Sequence, residues 1–198
     1  SLELIRRVPL FSMLTAAQAG SVAQAVVKRR FRRGELIVEQ GKKSNALTII
    51  LTGRARVIST DVRGREVILA SMSAGDYVGE MSLIDDEPHS ASVCAEIQTD
   101  ALILSRVEFA RCLPDADSMA YAVLRGLVRR LRQADRKIES LALMDVYGRV
   151  ARALLESAEA TGQDLALIRA KVSRQDMAKM VGASREMVSR VMKDLEER

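Results

Sequence analysis

Two stretches of this 198-residue chain carry side chains whose types and spacing suit chemistry. The first is VGEMSLIDDEPHSASV, residues 78–93. Gly79 followed by Glu80, Met81 and a short apolar run has the form of a turn entering a brief helix. The first amides of such a helix lack intrahelical partners and suit phosphate oxygens. Glu80 could accept from a sugar hydroxyl, and Ser90 with the Ala91 amide could donate to a phosphate. The same residues also fit a solvated turn and an exposed loop, and by themselves they leave both readings open. The second stretch is VSRQDMAKMVGASREMVSRVMKDLEER, residues 172–198. It reads as two short helices joined by VGAS, with Ser173 capping the first and Ser184 the second. Gly182 supplies the left-handed turn, and Met177, Met180, Val181, Val188, Val191 and Leu195 form the shared core. Arg185, Glu186, Ser189 and Arg190 are then exposed near the start of the second helix. A guanidinium pairs with both major-groove acceptors of guanine and a carboxylate accepts from cytosine N4, so these residues suit base reading.

The elements that must hold these groups follow from hydrophobic period. From Phe31 to about Ser105, short Val/Ile/Leu-rich runs alternate with turns at Gly34, Gly41, Gly53, Gly64 and Gly75, which predicts an antiparallel barrel or sandwich. Asp61 to Arg65 reads as a hairpin tip, and Thr15 as the N-cap of a preceding helix. From Asp117 to about Met144 the period changes. Ala120, Leu124, Leu127, Leu131, Ala134, Ile138 and Leu141 recur at intervals of four and three, a heptad seam that follows Pro114 and Asp115, read as a break and a start signal. Arg129, Arg130, Arg132, Arg136, Lys137 and Glu139 occupy outer positions. The seam fits self-pairing of two copies, or packing of an amphipathic helix on its own domain. The piece DLALIRAKV reads as β-like.

Composition narrows the function. With 48% hydrophobic and 29% charged residues the chain is globular, and no run of 18 apolar residues marks a membrane span. The reading is a soluble, cytoplasmic protein. Cys94, Cys112 and the single histidine, His89, supply too few ligands for zinc, haem or an iron–sulfur cluster. No nucleophile–base, paired-carboxylate or metal constellation supports catalysis, so the chain reads as a non-enzyme with no covalent cofactor. The net charge of +5 is uneven, about +1 over residues 1–116 and +4 over 117–198. A basic C-terminal part suits a polyanionic partner.

Three stretches resemble the CRP/FNR family of bacterial transcription regulators: GDYVGEMSLIDDEPHSASV its phosphate-binding cassette, ESLALMDVYGRVARALL the end of its long helix and hinge, and VSRQDMAKMVGASREMVSRVMKDLE its helix-turn-helix. The resemblance implies an α+β chain. Residues 1–116 would form a double-stranded β-helix (β-roll) that senses a cyclic nucleotide, 117–144 a dimerisation helix, and 145–198 a winged helix-turn-helix. It also implies a homodimer on a two-fold symmetric double-stranded DNA site, with reading helices roughly 34 Å apart, and contact with RNA polymerase. Arg185, Glu186 and Arg190 would read a half-site of the TGTGA type. Ser173, Arg174 and Gln175 would touch the backbone or a flanking base, with Ser184 and Ser189 beside them. Leu124, Leu127, Leu131, Ala134, Ile138 and Leu141 would form the dimer interface.

The ligand set implied is Gly79, Glu80, Met81, His89, Ser90, Ala91 and Asp135. Here the chain departs from relatives that bind cyclic AMP. They place an arginine where this chain has His89, and Thr-Ser where it has Ala134-Asp135. Histidine lacks the permanent charge and planar fork of arginine, its unperturbed pKa being about 6.5, so phosphate pairing is expected to weaken. A carboxylate at 135 suits the adjacent N1–H and N2–H2 donors of guanine better than adenine. The expected effector is therefore cyclic di-GMP over cyclic AMP. The alternatives are a constitutive DNA-binding dimer with a vestigial pocket, or a cyclic-nucleotide module that controls a partner protein.

Overall fold

The computed structural model describes residues 5, 8–12, 14–160, 166–167 and 172–197, and the chain divides into two compact units, residues 1–136 and 137–198. The first unit begins with a 3-10 turn, Pro9–Phe11, and a helix, Ala16–Ala25. Thr15 caps that helix in a reciprocal box with Gln18. Eight strands follow: β1 Val27–Phe31, β2 Leu36–Val38, β3 Ala46–Thr52, β4 Ala55–Thr60, β5 Glu66–Met72, β6 Tyr77–Val78, β7 Ser92–Ala95 and β8 Thr99–Ser105. They pair antiparallel in two four-stranded sheets, ordered β1-β8-β3-β6 and β2-β7-β4-β5. The expected antiparallel β architecture is present, and Asp61 to Arg65 closes the β4–β5 hairpin, with the Asp61 carboxylate accepting from the Arg63 and Arg65 amides at 2.9 Å.

Burial follows the strand period where one face is wet and disappears where both are covered. β5 alternates exposed and half-buried residues over most of its length, whereas Leu47, Thr48, Ile49 and Ile50 of β3 are all buried. Ile50, Ala55, Met72 and Val93 form one core cluster. A larger one gathers Val22, Leu47, Ile49, Leu83, Leu102, Leu104 and Phe109 together with Val128. Val128 belongs to the long helix, Met119–Leu143, so this helix completes the core of the β unit.

The long helix departs from the sequence reading at three points. Ser118, not Asp115, serves its first turn: the Ser118 hydroxyl accepts from the Tyr121 amide at 3.2 Å. Leu124, expected in the dimer seam, is half-buried and packs against the β-unit core beside Val128, because it lies four residues, one helical turn, before it. Arg132, read as an outer charge, is buried. Leu127, Leu131, Ala134, Ile138 and Leu141 remain on an exposed face, the leucines and isoleucine at about half exposure.

In the second unit a helix Val146–Glu156, capped by Asp145, packs with helices Arg174–Val181 and Arg185–Glu196 around Val150, Ala153, Met177, Ala178, Val181 and Val188. Met180 was expected in this core and is 46% exposed. At 100° per residue it sits about 100° from the centre of the face that Met177, Ala178 and Val181 define, so it points away. A two-residue pair, β9 Glu159–Ala160 with β10 Ala166–Leu167, lies between these helices in sequence. Residues 164–165 and 168–171 of DLALIRAKV lie outside the described residues. Among the described residues no helix is long and apolar enough to cross a membrane.

Gly53 shows how closely β3 and β4 turn against β8. Its φ is +100°, and a Cβ there would meet Thr99 Oγ1 at 2.5 Å and the Gln98 carbonyl at 2.7 Å. Gly53→Ala is therefore expected to lower unfolding stability by about 1–3 kcal/mol. Gly64→Ala also has a positive φ but open space around it, and is expected to lose less. Urea denaturation of the two variants side by side checks the ranking.

Candidate functional site

The cassette is shaped by backbone geometry. Gly79 has φ +103°, and a Cβ there would lie 2.7 Å from the Ala46 carbonyl oxygen, so only glycine lets the chain turn this tightly against β3. The helix Glu80–Asp85 follows, and buries Ser82, Leu83 and Ile84. Ser82 Oγ accepts from the Ser44 amide at 3.0 Å, tying the helix to the loop before β3. Asp86 then takes a left-handed conformation at φ +59° and ends the helix. Residues 87–91 lead into β7.

These elements and the long helix enclose a cavity of about 480 Å³. Gly79, Glu80, Met81, His89, Ser90 and Ala91 line one side of it, and Leu131, Arg132 and Asp135 line it from the helix. Every ligand-site residue expected from the sequence thus borders one space. Ser90 Oγ donates to Asp135 Oδ2 at 3.1 Å, so the cassette serine and the helix carboxylate are already in contact.

The electrostatics follow from burial. Desolvation pushes the Glu80 carboxyl above its ordinary value, opposed by its own amide and the Arg132 charge and aided by Asp135. Desolvation also pushes Asp135 up, against the Ser90 hydrogen bond and the charges of Arg132 and Arg136. His89 is held below the ordinary imidazole value of 6.5 by burial and by the nearby Arg132. It is therefore neutral at pH 7 and offers no fixed charge to a phosphate. The cavity combines two reluctant carboxylates, a neutral imidazole and an apolar lining from Val57, Met72, Val78, Val93 and Leu131. That is a surface for a flat, hydrogen-bonding, partly apolar molecule.

Sequence reasoning missed the residue that organises this region. Arg132 Nε donates to Asp85 Oδ2 at 2.6 Å, Nη2 to Asp85 Oδ1 at 2.9 Å and Nη1 to the Pro88 carbonyl at 2.7 Å. Their side chains are only 10% and 14% exposed. Tyr121 Oη donates to the Ile84 carbonyl at 3.1 Å, from the same helix. Tyr121, Val128 and Arg132 are seven and four residues apart, one face of the helix, and that spacing is the signal that separates Arg132 from its neighbours. Burial alone would push Asp85 up, but the Arg132 fork and the Glu87 amide outweigh it and hold the carboxyl below the usual range.

In the second unit Ser184 Oγ accepts from the Met187 amide at 3.2 Å and Ser173 Oγ from the Asp176 amide at 3.0 Å, so both expected caps are present. Gly182, at φ +64°, makes the turn between the helices. Ser173, Arg174, Gln175, Ser184, Arg185, Glu186 and Arg190 are exposed and Ser189 is half-buried. Arg174, Glu186, Ser189 and Arg190 border one surface depression with Lys193 and Glu196. Glu186 and Arg190 form an ion pair one turn apart, and Arg174 Nη2 lies 3.7 Å from Glu196 Oε1.

Comparison with known proteins agrees with both units. Residues 28–116 match the cyclic nucleotide-binding domain and residues 148–198 the Crp-like helix-turn-helix domain. The chain is 34% identical to the cAMP-activated global transcriptional regulator Vfr of Pseudomonas aeruginosa, over 86% of this chain and 82% of that protein. It is 33% identical to the cyclic AMP receptor protein of Thermus thermophilus, over 96% and 86%. Among solved structures, the Thermus thermophilus catabolite activator protein matches with a TM-score of 0.54 and 31% identity, over 96% of this chain and 87% of that one. The cAMP-bound regulatory domain of Toxoplasma gondii PKA matches with a TM-score of 0.57 and 26% identity over 65% of this chain. The chain spans about half the length of that structure, 48%.

Breaking one side of a buried ion pair leaves the other charge without a partner. Asp85→Ala is expected to destabilise the first unit by roughly 3–5 kcal/mol, and the double change Asp85→Leu with Arg132→Met by much less. Asp85 also sets an acid response. Its folded pKa is depressed, so its contribution is complete above the ordinary carboxylate value of 3.8 and is lost as pH falls through the lowered one. Thermal melts of wild type and Asp85→Asn across pH 2–6 are expected to differ most at the upper end and to converge at the lower.

Proposed function

The chain belongs to the CRP family of cyclic-nucleotide-regulated transcription regulators, and from that premise we propose that it is a homodimeric, sequence-specific DNA-binding protein whose effector is a guanine cyclic nucleotide, cyclic di-GMP in preference to cyclic AMP. The observation that carries the reading is the shared cavity, in which the cassette faces Leu131, Arg132 and Asp135 of the long helix. A molecule there touches the cassette and the helix at once. Leu131 also belongs to the apolar row Leu127, Ala134, Ile138 and Leu141, half-exposed in one chain and suited to pairing with a second copy.

The preference for guanine rests on Asp135. Its carboxylate borders the cavity and offers acceptors, which match the two adjacent donors of guanine, whereas adenine presents one donor beside an acceptor. The phosphate end is weakly charged, because His89 is neutral and the Arg132 guanidinium is committed to Asp85 and Pro88. Selectivity therefore falls on the base. Cyclic AMP is the second reading, and it is favoured by what the regulator Vfr and the Thermus thermophilus receptor are named for.

The mechanism is a shift between helix arrangements. A ligand that binds one arrangement of the paired helices more tightly raises its population, and the turn capped by Asp145 passes the change to the reading heads. Arg185, Glu186 and Arg190 then read base edges, and Ser173, Arg174, Gln175, Ser184 and Ser189 fix the register on the backbone. Contact with RNA polymerase belongs to the same reading, as do the segments 1–116, 117–144 and 145–198 as sensor, dimer helix and DNA-binding domain.

Isothermal titration with cyclic di-GMP and with cyclic AMP tests the effector, on wild type, Asp135→Ala and Glu80→Ala. The expected result is micromolar or tighter binding of cyclic di-GMP that weakens at least tenfold in Asp135→Ala. Tight cyclic AMP binding with no cyclic di-GMP signal would replace the guanine reading by the second one. No heat from either would leave a constitutive DNA-binding dimer with a vestigial cavity. For the reading helix, Arg185→Ala is expected to cost about 1–3 kcal/mol of discrimination at one guanine. Fluorescence anisotropy against half-sites varied at each base checks this, and unchanged discrimination at every position would remove Arg185 from base reading.

A further inference from the structure

Outside the cavity, on the other side of Arg132, lies a second recess of about 410 Å³. Its walls are four arginines of the long helix, Arg125, Arg129, Arg132 and Arg136, and the loop residues Asp85, Glu87 and Pro88. The arginines recur at intervals of four, three and four, so they form one row about 16 Å long at 1.5 Å per residue. The row runs along the edge of the face that Tyr121, Val128 and the buried Arg132 turn to the β unit, on the opposite side of the helix from the apolar row of Leu127, Leu131, Ala134, Ile138 and Leu141, and pairing of two copies along that seam leaves it open.

The charges in this recess do not balance. Arg132 uses Asp85 completely. Among the described residues Arg125 and Arg129 make no hydrogen bond or ion pair, and Arg136 reaches a carboxylate only through its field on Asp135. Three exposed guanidinium groups thus face a space whose one remaining carboxylate is Glu87. Like charges one turn apart repel, and a helix that stacks them gains from an anion that bridges them. Arginine forks pair two oxygens of one phosphate, and long side chains that leave the helix a turn apart can converge on the closely spaced charges of linked phosphates.

We propose that the recess formed by Arg125, Arg129 and Arg136 beside the 85–88 loop is a second ligand site, for a small molecule bearing linked phosphates such as a nucleoside triphosphate or an inorganic oligophosphate. The site is linked to the cavity with a definite sign. Arg132 borders both spaces, and Arg136 acts on Asp135 inside the cavity. An anion in the recess offsets the positive field that these arginines extend into the cavity, so it weakens an anionic ligand there, and the reverse holds by linkage. The linkage, unlike the site, rests on the nucleotide reading of the cavity.

The test uses the full chain at low ionic strength and titrates sodium tripolyphosphate, then GTP, with the cavity free of nucleotide. Saturable binding is expected. It should fall at least tenfold in the double variant Arg129→Ala with Arg136→Ala, whose side chains hold no structural partner, and less than twofold in Arg130→Ala on another face. Tighter GTP than tripolyphosphate would assign the site to a nucleoside triphosphate, and equal or weaker GTP to an inorganic oligophosphate. Absence of saturable binding, survival of binding in the double variant, or an equal loss in Arg130→Ala would each overturn the site. So would a wild-type chain that binds no tripolyphosphate while the double variant flattens the salt dependence of DNA binding, which would make the row a DNA backbone contact. Repeating the cyclic nucleotide titration with saturating tripolyphosphate reads the linkage: a severalfold weaker affinity supports it, and an unchanged affinity removes it while the site stands.

Discussion

The Arg132 fork joins the long helix to the loop behind the cassette, and the two recesses exist because of where it is held. A guanidinium is the one cationic side chain that can saturate a carboxylate with two parallel bonds and still donate to a carbonyl, and Arg132 does both. Holding it there removes two charges from water, which is costly and is offset only when every donor finds a partner. Asp85 and the Pro88 carbonyl supply those partners, Tyr121 and Val128 add a hydrogen bond and apolar burial on the same helical face, and Gly79 lets the chain turn into the cassette helix.

Once the fork is committed, the chemistry of the cavity is constrained. Its nearest strong cation is neutralised by Asp85, its histidine is kept neutral by burial and by Arg132, and its two carboxylates titrate above their ordinary values. Under the proposed function, such a space contributes little to binding a phosphate by charge and much by shape and hydrogen bonding to a base. The same commitment leaves the outer arginines without carboxylates, so positive charge accumulates on the opposite side of one side chain. Polarity is thus sorted by the position of a single guanidinium.

The second unit is organised by local rules that agree with one another. Serine caps begin both helices, a left-handed glycine turns between them, and Val150, Met177, Val181 and Val188 close the core. This leaves the polar residues of the second helix facing outward. Glu186 and Arg190 hold each other in this structure, so under the proposed reading of DNA both exchange that pairing for base edges.

The sequence by itself determined what depends on near neighbours. Caps at Thr15, Ser173 and Ser184, the hairpin tip at Asp61 to Arg65, the turn at Gly182 and the outward face of Arg185 and Glu186 all follow from spacing of a few residues. The family resemblance extended that reading to the cassette and the helix opposite it. What only the tertiary structure decided depends on partners far apart in the chain. Arg132 reads as one more charge on a basic helix until Asp85, 47 residues away, lies against it. Leu124 belongs to the heptad by spacing, yet the core beside Val128 takes it, and Met180 fits an apolar count while its angle turns it to solvent. A period states which residues share a face; which neighbour covers that face, and whether a charge there is neutralised, is settled by the contacts that folding brings together.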